Sequence, residues 1–226
     1  MSEPLVFESD AATAVFVATL AVSVAAEWLV TYRERRVTEA ASSRSLGGRV
    51  GVAARTLVES TTTFTRADRS EDRGTKRILV GSMVGALVLG ALIADHVPAL
   101  ELPGSGWLWL LAGAAITLVG IAVRVWAITT LGRFFRRDVT IAPDQTVIEA
   151  GPYRYVRHPA YLGNLVVVAG VGLMLGNALA LVVMVGIALA GHVPRIRVEE
   201  AALERELGEP YLRFGARRAR LVPGVW

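Results

Sequence analysis

The feature that most constrains the fold is a set of long apolar segments separated by arginine-rich ones. Three of them cover residues 11–31, 78–97 and 107–131, and a fourth covers residues 160–193. A helix of about 20 residues crosses the hydrocarbon core of a bilayer, so the fourth segment fits two short spans joined by a turn at residues 176–177. We therefore predict an all-α integral membrane protein with about five transmembrane helices, the fourth and fifth forming a tight hairpin.

The distribution of basic residues predicts the orientation. Of the 24 Lys and Arg residues, eleven lie in 32–77, five in 132–159 and seven in 194–226, whereas 1–10 and 98–106 contain none. Five spans bring the three basic segments to one side, which the positive-inside rule makes the cytoplasm. The N-terminus is then outside and the C-terminus cytoplasmic, in the cytoplasmic membrane if the source is prokaryotic. The absence of a basic start also argues against a cleavable signal peptide.

Composition excludes several classes of site. Hydrophobic residues make up 53% of the chain and the mean hydropathy is +0.47, which is too apolar for an ordinary soluble domain. There is no cysteine, so disulfides, thiol nucleophiles and Cys-ligated metals are excluded. His96, His158 and His192 lie in separate segments, so we expect no metal. The net charge of +4 is explained by topology, and we expect no nucleic-acid partner.

A dense polar segment, GPYRYVRHPAYLGN at residues 151–164, lies between two apolar segments. Pro152 and Pro159 each disfavour the α conformation in the preceding residue, so we expect Gly151 and His158 to be extended. Irregular backbone at a membrane boundary is tolerated where it lines a cavity, which favours a binding loop. A Tyr/Arg belt that anchors a membrane helix is the alternative.

Two further features carry charge into apolar surroundings. Arg124 lies inside the third span and either faces the bundle interior or extends to the near interface. The tail begins RIRVEEAALEREL, a helical pattern that Gly208 and Pro210 should end. Its apolar stripe is Ile196, Leu203 and Leu207. Glu199 and Glu200 border that stripe, so they require a polar partner unless they form only a surface ion pair.

The chain divides at the end of the third span. We predict an N-terminal membrane region at 1–131, whose cytoplasmic segment 32–77 includes a candidate amphipathic surface helix at 50–58. The second region, 132–226, is predicted to be catalytic. It contains the polar segment 151–164, called the RHP loop after Arg157, His158 and Pro159, followed by the hairpin 160–193 and the cytoplasmic tail helices.

Taken together, GPYRYVRHPAYLGN, the apolar hairpin and RIRVEEAALERELGEPYLRFGARRARLVP resemble the isoprenylcysteine carboxyl methyltransferase family, which is related to the phospholipid N-methyltransferases. The resemblance runs from Arg124 to Pro223. It implies a membrane enzyme that moves a methyl group from S-adenosylmethionine to a lipophilic acceptor. Carried over by motif, the implied cofactor-binding residues are Gln145, Thr146, Val147, Ile148, Tyr153, His158, Pro159, Ala160, Tyr161 and Glu199. Position 145, often histidine in relatives, is glutamine here.

The resemblance also implies the catalytic pair Arg195 and Glu199, with Arg195 and Arg124 binding the acceptor. Tyrosines suit the adenine ring and the sulfonium, and an arginine suits an acceptor carboxylate. We expect carboxyl O-methylation of an isoprenoid-type small molecule or prenylated substrate that enters from the bilayer, among membrane lipids. A phospholipid or amine N-methyltransferase and an NADPH-dependent sterol-reductase-like enzyme are the alternatives, together with a non-catalytic adaptor. The missing cysteine argues against the reductase.

Overall fold

The computed structural model describes residues 9–45, 74–136, 139, 141 and 144–226, with only the backbone given for residues 31 and 33–45. Six α-helices follow one another in this part of the chain: α1 Asp10–Ser45, α2 Thr75–His96, α3 Gly106–Leu131, α4 Pro159–Met174, α5 Ala178–Leu207 and α6 Glu209–Ala216. Short 3₁₀ turns lie at Pro98–Leu100, Gly132–Phe134 and Gly151–Arg154. In the described ranges, extended backbone pairs only as isolated bridges. The predicted all-α class is confirmed.

Among the described residues, four helical segments are long and apolar enough to cross a membrane: Asp10–Val30, Thr75–His96, Gly106–Phe134 and Ala178–Leu207. The remaining apolar helix, Pro159–Met174, has only 16 residues. At 1.5 Å per residue its length is about 24 Å, which is less than the thickness of the hydrocarbon core of about 30 Å. An integral membrane protein is therefore supported, but the predicted number of five spans is not confirmed.

The predicted hairpin between α4 and α5 is present. Its turn is hydrogen-bonded to the loop that follows α2. The buried Asn177 caps α5 by accepting a 3.0 Å hydrogen bond from the Ala180 amide. Its side-chain amide donates a 2.8 Å bond to the Val97 carbonyl, and the Leu102 amide donates one of 2.8 Å to the Gly176 carbonyl. A single asparagine thus ends the turn and attaches it to the preceding loop.

Helices α3 and α4 pack in close backbone contact through small residues. A Cβ added at Gly120 would lie 2.7 Å from the Val167 amide nitrogen. One added at Gly163 would lie 2.8 Å from the Gly120 carbonyl oxygen and 2.9 Å from the Arg124 amide nitrogen. Only glycine permits this approach, as is common in membrane helix pairs. The contact places Arg124 beside the first turn of α4.

The hairpin arm and the first tail helix form one continuous helix, although the sequence suggested a boundary near residue 193. Pro194 lies inside α5 and removes one backbone hydrogen bond. The helix continues because His192, Arg195 and Ile196 are all buried and fix it on both sides of the proline. It ends at Leu207, where Gly208 has a φ of 59°, as the sequence predicted.

The prediction that Gly151 is extended is wrong. Its φ is +55°, and it begins the 3₁₀ turn Gly151–Arg154. The proline rule excludes the right-handed helical region, but glycine can also occupy the left-handed one. A Cβ at this position would lie 2.6 Å from the Thr130 hydroxyl oxygen. His158 has a φ of −124° and a ψ of 60°. It lies outside the helical region, but its ψ is too small for the extended backbone that was predicted.

The division at residue 131 is not tested by the fold, and it remains a prediction. Helix α2 packs mainly on α5 and α3 mainly on α4, so helices from the two predicted regions are interleaved. The candidate surface helix at 50–58 lies outside the described residues.

Candidate active site

A cavity of about 630 Å³ lies between the helices and the RHP loop. It is lined by α1, α2, α3, α4, α5 and α6, by the segment 145–148 and by the residues that precede α4. All of the residues predicted to bind a cofactor line it except Pro159: Gln145, Thr146, Val147, Ile148, Tyr153, His158, Ala160, Tyr161 and Glu199. Arg124 and Arg195 also line the cavity. Pro159 is buried at the first turn of α4. The structure therefore brings the predicted residues together.

Tyr161 connects the two predicted catalytic residues. Its hydroxyl donates a 2.6 Å hydrogen bond to the Glu199 carboxylate and accepts one of 3.2 Å from Arg195 Nε. Arg195 is buried and its Nη1 donates a 3.4 Å bond to the Thr75 hydroxyl at the start of α2. Both tail side chains are thus oriented at the cavity wall by neutral hydroxyl groups.

Glu200 has a different role from its neighbour, because it lies outside the cavity lining and is 4% exposed. Its carboxylate oxygens lie 2.7 Å from Arg157 Nη1, 3.3 Å from His158 Nε2 and 2.6 Å from Arg220 Nε. A buried acid is tolerated only when it is paired in this way. The polar-partner alternative for the acidic pair is therefore correct, and Glu200 ties the RHP loop to the C-terminal segment.

The backbone of the RHP loop is also bound to that segment. The amides of Arg157 and His158 donate hydrogen bonds of 2.9 Å and 3.0 Å to the carbonyls of Ala219 and Arg220. His158 is buried, whereas Tyr155 is 66% exposed. Apart from Arg154 and Tyr155, the residues 151–164 are buried or half-buried, so the loop is a structured wall of the cavity. An interfacial anchor describes only these two exposed residues.

Two tyrosines near the cavity are held in the neutral form. Burial, together with the nearby Glu199 carboxylate, raises the pKa of Tyr153. Burial, together with Glu200 and Glu199, raises the pKa of Tyr211 on α6. Their rings form an apolar cluster with Ala127 and Phe214, packed against Val147, Ile148, Ala160, Leu203 and Leu207. This cluster gives the cavity an aromatic wall suited to a flat ring.

Arg124 faces the interior of the helix bundle, which was one of the two alternatives for it. Its Nε and Nη2 donate to the two carboxylate oxygens of Glu27 on α1, the latter over 3.2 Å. Its Nη1 donates a 3.3 Å bond to the Ala160 carbonyl. Glu27 was visible in the sequence as an acid inside an apolar span, yet it was not included among the predicted site residues. A charged residue inside a span is a functional signal that could have identified it.

The rest of the lining from α1 and α2 is mostly apolar, including Leu20, Val24, Val30, Val80, Met83, Val84 and Leu87. Sequence patterns could not assign these residues, because they look like ordinary span residues. The cavity therefore has a polar part at the RHP loop and α5, and an apolar part toward α1 and α2. Among the described residues, no group of three or more His, Cys, Asp or Glu side chains could hold a metal ion.

This arrangement can be compared with known proteins. The model of the isoprenylcysteine carboxyl methyltransferase (ICMT) family matches residues 113–205, which include Arg124, the RHP loop, Arg195 and both glutamates. The predicted resemblance to the ICMT family is confirmed over this region. The matched residues hold most of the polar part of the cavity, whereas α1 and α2 lie outside them.

Individual relatives agree with the family match. The chain is 28% identical over 127 residues to protein-S-isoprenylcysteine O-methyltransferase B of Arabidopsis thaliana, covering 54% of this chain and 64% of that protein. It is 32% identical over 115 residues to protein-S-isoprenylcysteine O-methyltransferase A of the same plant, covering 50% and 58%. It is 31% identical over 104 residues to the Saccharomyces cerevisiae protein-S-isoprenylcysteine O-methyltransferase, and this match covers 45% of this chain and 44% of the yeast protein. The matches thus span less than two thirds of each relative.

The fold has a similar relative among solved structures. The eukaryotic intramembrane Ras methyltransferase ICMT superposes with a TM-score of 0.52 at 25% sequence identity. The match covers 65% of this chain and 52% of that structure. The helical arrangement of an ICMT-family membrane enzyme is therefore shared.

Proposed function

We propose that the chain is an S-adenosylmethionine-dependent methyltransferase that acts on a lipophilic acid at the cytoplasmic face of a membrane. The observation that carries this proposal is the cavity itself. It joins the polar residues of the ICMT motifs to an apolar wall formed by α1 and α2. A lipophilic acceptor with a polar head requires both parts.

The residues present fit the cofactor. A volume of about 630 Å³ lies within the usual range for small-molecule sites of roughly 300–1,000 Å³. The aromatic cluster around Tyr153 suits an adenine ring and a sulfonium, and the Glu199 carboxylate suits ribose hydroxyls or an ammonium group. The backbone of Gln145–Ile148 supplies further amides and carbonyls at the wall.

When bound, S-adenosylmethionine supplies an electrophilic methyl group, and an ionised carboxylate can accept it without a general base. The protein's task is then to hold the acceptor in line. Arg195 is placed for this, because its guanidinium lies at the cavity wall beside Tyr161 and one helical turn before Glu199. Its planar fork can hold a carboxylate through two hydrogen bonds. The similar proteins are protein-S-isoprenylcysteine O-methyltransferases, so the proposed acceptor is a prenylated or isoprenoid acid.

Calorimetric titration of the purified protein with S-adenosylmethionine tests the cofactor assignment. We expect binding by the wild type and a loss of at least about fivefold in affinity for Glu199→Gln, because losing a polar contact at the site costs about 1–3 kcal/mol. Glu204→Gln is the matched control, since Glu204 is exposed further along α5. Absence of binding by the wild type, or equal affinity in the three proteins, would contradict the assignment.

A further inference from the structure

Helix α1 places a charged group in the cavity that the ICMT motifs do not provide. Glu27 lines the cavity and lies outside the region 113–205 that the family model matches. Its partner Arg124 lies inside that region, on α3. The pair is 97 residues apart in sequence, so it is a contact created by the fold.

All three nitrogens of the Arg124 guanidinium are engaged. Nε and Nη2 donate to the two oxygens of Glu27, and Nη1 donates to the Ala160 carbonyl. The side chain of Arg124 is only 15% exposed. The edge through which an arginine binds a carboxylate in bidentate fashion is therefore occupied by Glu27.

The third hydrogen bond of Arg124, from Nη1 to the Ala160 carbonyl, connects it to the first turn of α4. Ala160 lies in the first turn of α4, directly after His158 and Pro159 and directly before Tyr161. A cation that holds the Ala160 carbonyl also fixes the position of the Tyr161 hydroxyl, which in turn contacts Glu199 and Arg195. The Gly163 contact keeps the backbone of Arg124 at the distance that this bond requires.

We propose that Glu27 is a positioning residue of the active site and sets where an acceptor acid binds. It holds Arg124 in the bidentate pair, so Arg124 supports the RHP loop and does not bind the acceptor. The acid of the acceptor is thereby directed to Arg195. This reassigns Arg124, which the sequence suggested as an acceptor-binding residue, and it rests on the proposed methyltransferase function.

The experiment compares Glu27→Gln, Arg124→Gln and the double variant Glu27→Gln/Arg124→Gln. Each single change removes one member of the ion pair and leaves the other charge without this partner, whereas the pair in the wild type compensates both charges. The double change leaves a neutral pair of amides that can still hydrogen-bond. Methyl transfer to farnesylthioacetic acid, used as a lipophilic acid probe, is measured per mole of folded protein, together with the calorimetric affinity for S-adenosylmethionine.

We expect each single variant to lower kcat by about tenfold or more, on the scale of a displaced catalytic group. In Glu27→Gln the KM for the acid should not rise, because the released Arg124 offers the acid a second, unproductive site. The double variant should recover kcat by at least about fivefold over Arg124→Gln. Glu27→Asp keeps the charge, so it should retain more turnover than Glu27→Gln. Because it is the conservative change, Glu27→Asp is also the variant expected to fold. Asp95→Asn, at an exposed acid of α2, is the control.

Three results would overturn the proposal. If the double variant is as slow as Arg124→Gln, Arg124 itself binds the acceptor. If Glu27→Gln turns over like the Asp95→Asn control, the pair does not position the loop. If the wild-type protein binds S-adenosylmethionine but does not methylate the acid probe, the acceptor class is overturned. If the wild type does not bind S-adenosylmethionine, the proposed function as a whole is overturned.

Discussion

The Tyr161 hydroxyl donates a 2.6 Å hydrogen bond to Glu199, and this contact joins the first turn of α4 to the C-terminal half of α5. The same oxygen accepts a bond from Arg195. One phenol therefore determines the spacing between the residue assigned to the cofactor and the residue assigned to the acceptor.

Replacing that phenol tests the connection. Tyr161→Phe keeps the ring and removes only the shared hydroxyl, so Glu199 and Arg195 lose a common partner. We expect the affinity for S-adenosylmethionine to fall by about 1–3 kcal/mol, measured by calorimetry. Tyr155→Phe is the control, because Tyr155 is 66% exposed in the same loop. Equal affinities for the two variants would show that the hydroxyl does not organise the cofactor site.

Arg195 should separate acceptor handling from cofactor binding. Arg195→Lys keeps a positive charge but cannot reproduce the bidentate fork. We expect the affinity for S-adenosylmethionine to stay within a few-fold, while turnover falls on the order of a hundredfold because catalysis depends on alignment. Arg197→Lys, two residues along α5 at an exposed position, is the matched control. Loss of cofactor binding in Arg195→Lys, or unchanged turnover, would contradict the proposal that Arg195 holds the acceptor carboxylate.

Glu200 should matter for stability more than any exposed acid of α5. Glu200→Gln leaves Arg157 and Arg220 without their shared buried carboxylate, and breaking a buried pair typically costs about 3–5 kcal/mol. We expect a clear fall in the thermal unfolding temperature in detergent. Glu204→Gln, at an exposed position, should change stability by less than about 0.5 kcal/mol. Similar unfolding temperatures for the two variants would mean that the Arg157, His158 and Arg220 contacts do not stabilise the tail.

Membrane orientation is a separate prediction, because the one-sided distribution of arginines is its basis. A cysteine introduced in 98–106 of this cysteine-free chain should react with an impermeant thiol reagent added to intact cells. One introduced in 60–70 should react only after lysis. The reverse pattern would contradict an outside N-terminus and a cytoplasmic C-terminus.

Much of the fold could be predicted because hydropathy fixes helices in a membrane. The predicted second and third spans, 78–97 and 107–131, agree with α2 and α3 to within a few residues. The motif residues also converge on one cavity, as the resemblance implied. Features that depend on packing against a residue distant in the sequence could not be predicted. The apolar hairpin was expected to end at residue 193, but packing on both sides of Pro194 keeps α5 continuous, and Gly151 takes a positive φ against Thr130.

The two glutamates show the same limit within the site. The sequence indicated that an adjacent acidic pair needs polar partners, but not which acid meets which partner. Glu199 meets Tyr161 and Glu200 meets Arg157, His158 and Arg220 because consecutive helical residues point about 100° apart. Glu27 meets Arg124 across 97 residues, a pairing that spacing along the sequence does not reveal.

Transfer of a labelled methyl group is the most direct measurement of the central claim. The purified protein is incubated with a lipid extract and S-adenosylmethionine carrying a labelled methyl group, and the products are separated by mass. We predict a labelled methyl ester that is released by mild base, formed by the wild type and by Arg197→Lys but not by Arg195→Ala. Label found only on a base-stable amine, or no label above that of the Arg195→Ala protein, would contradict carboxyl methylation of a lipophilic acid.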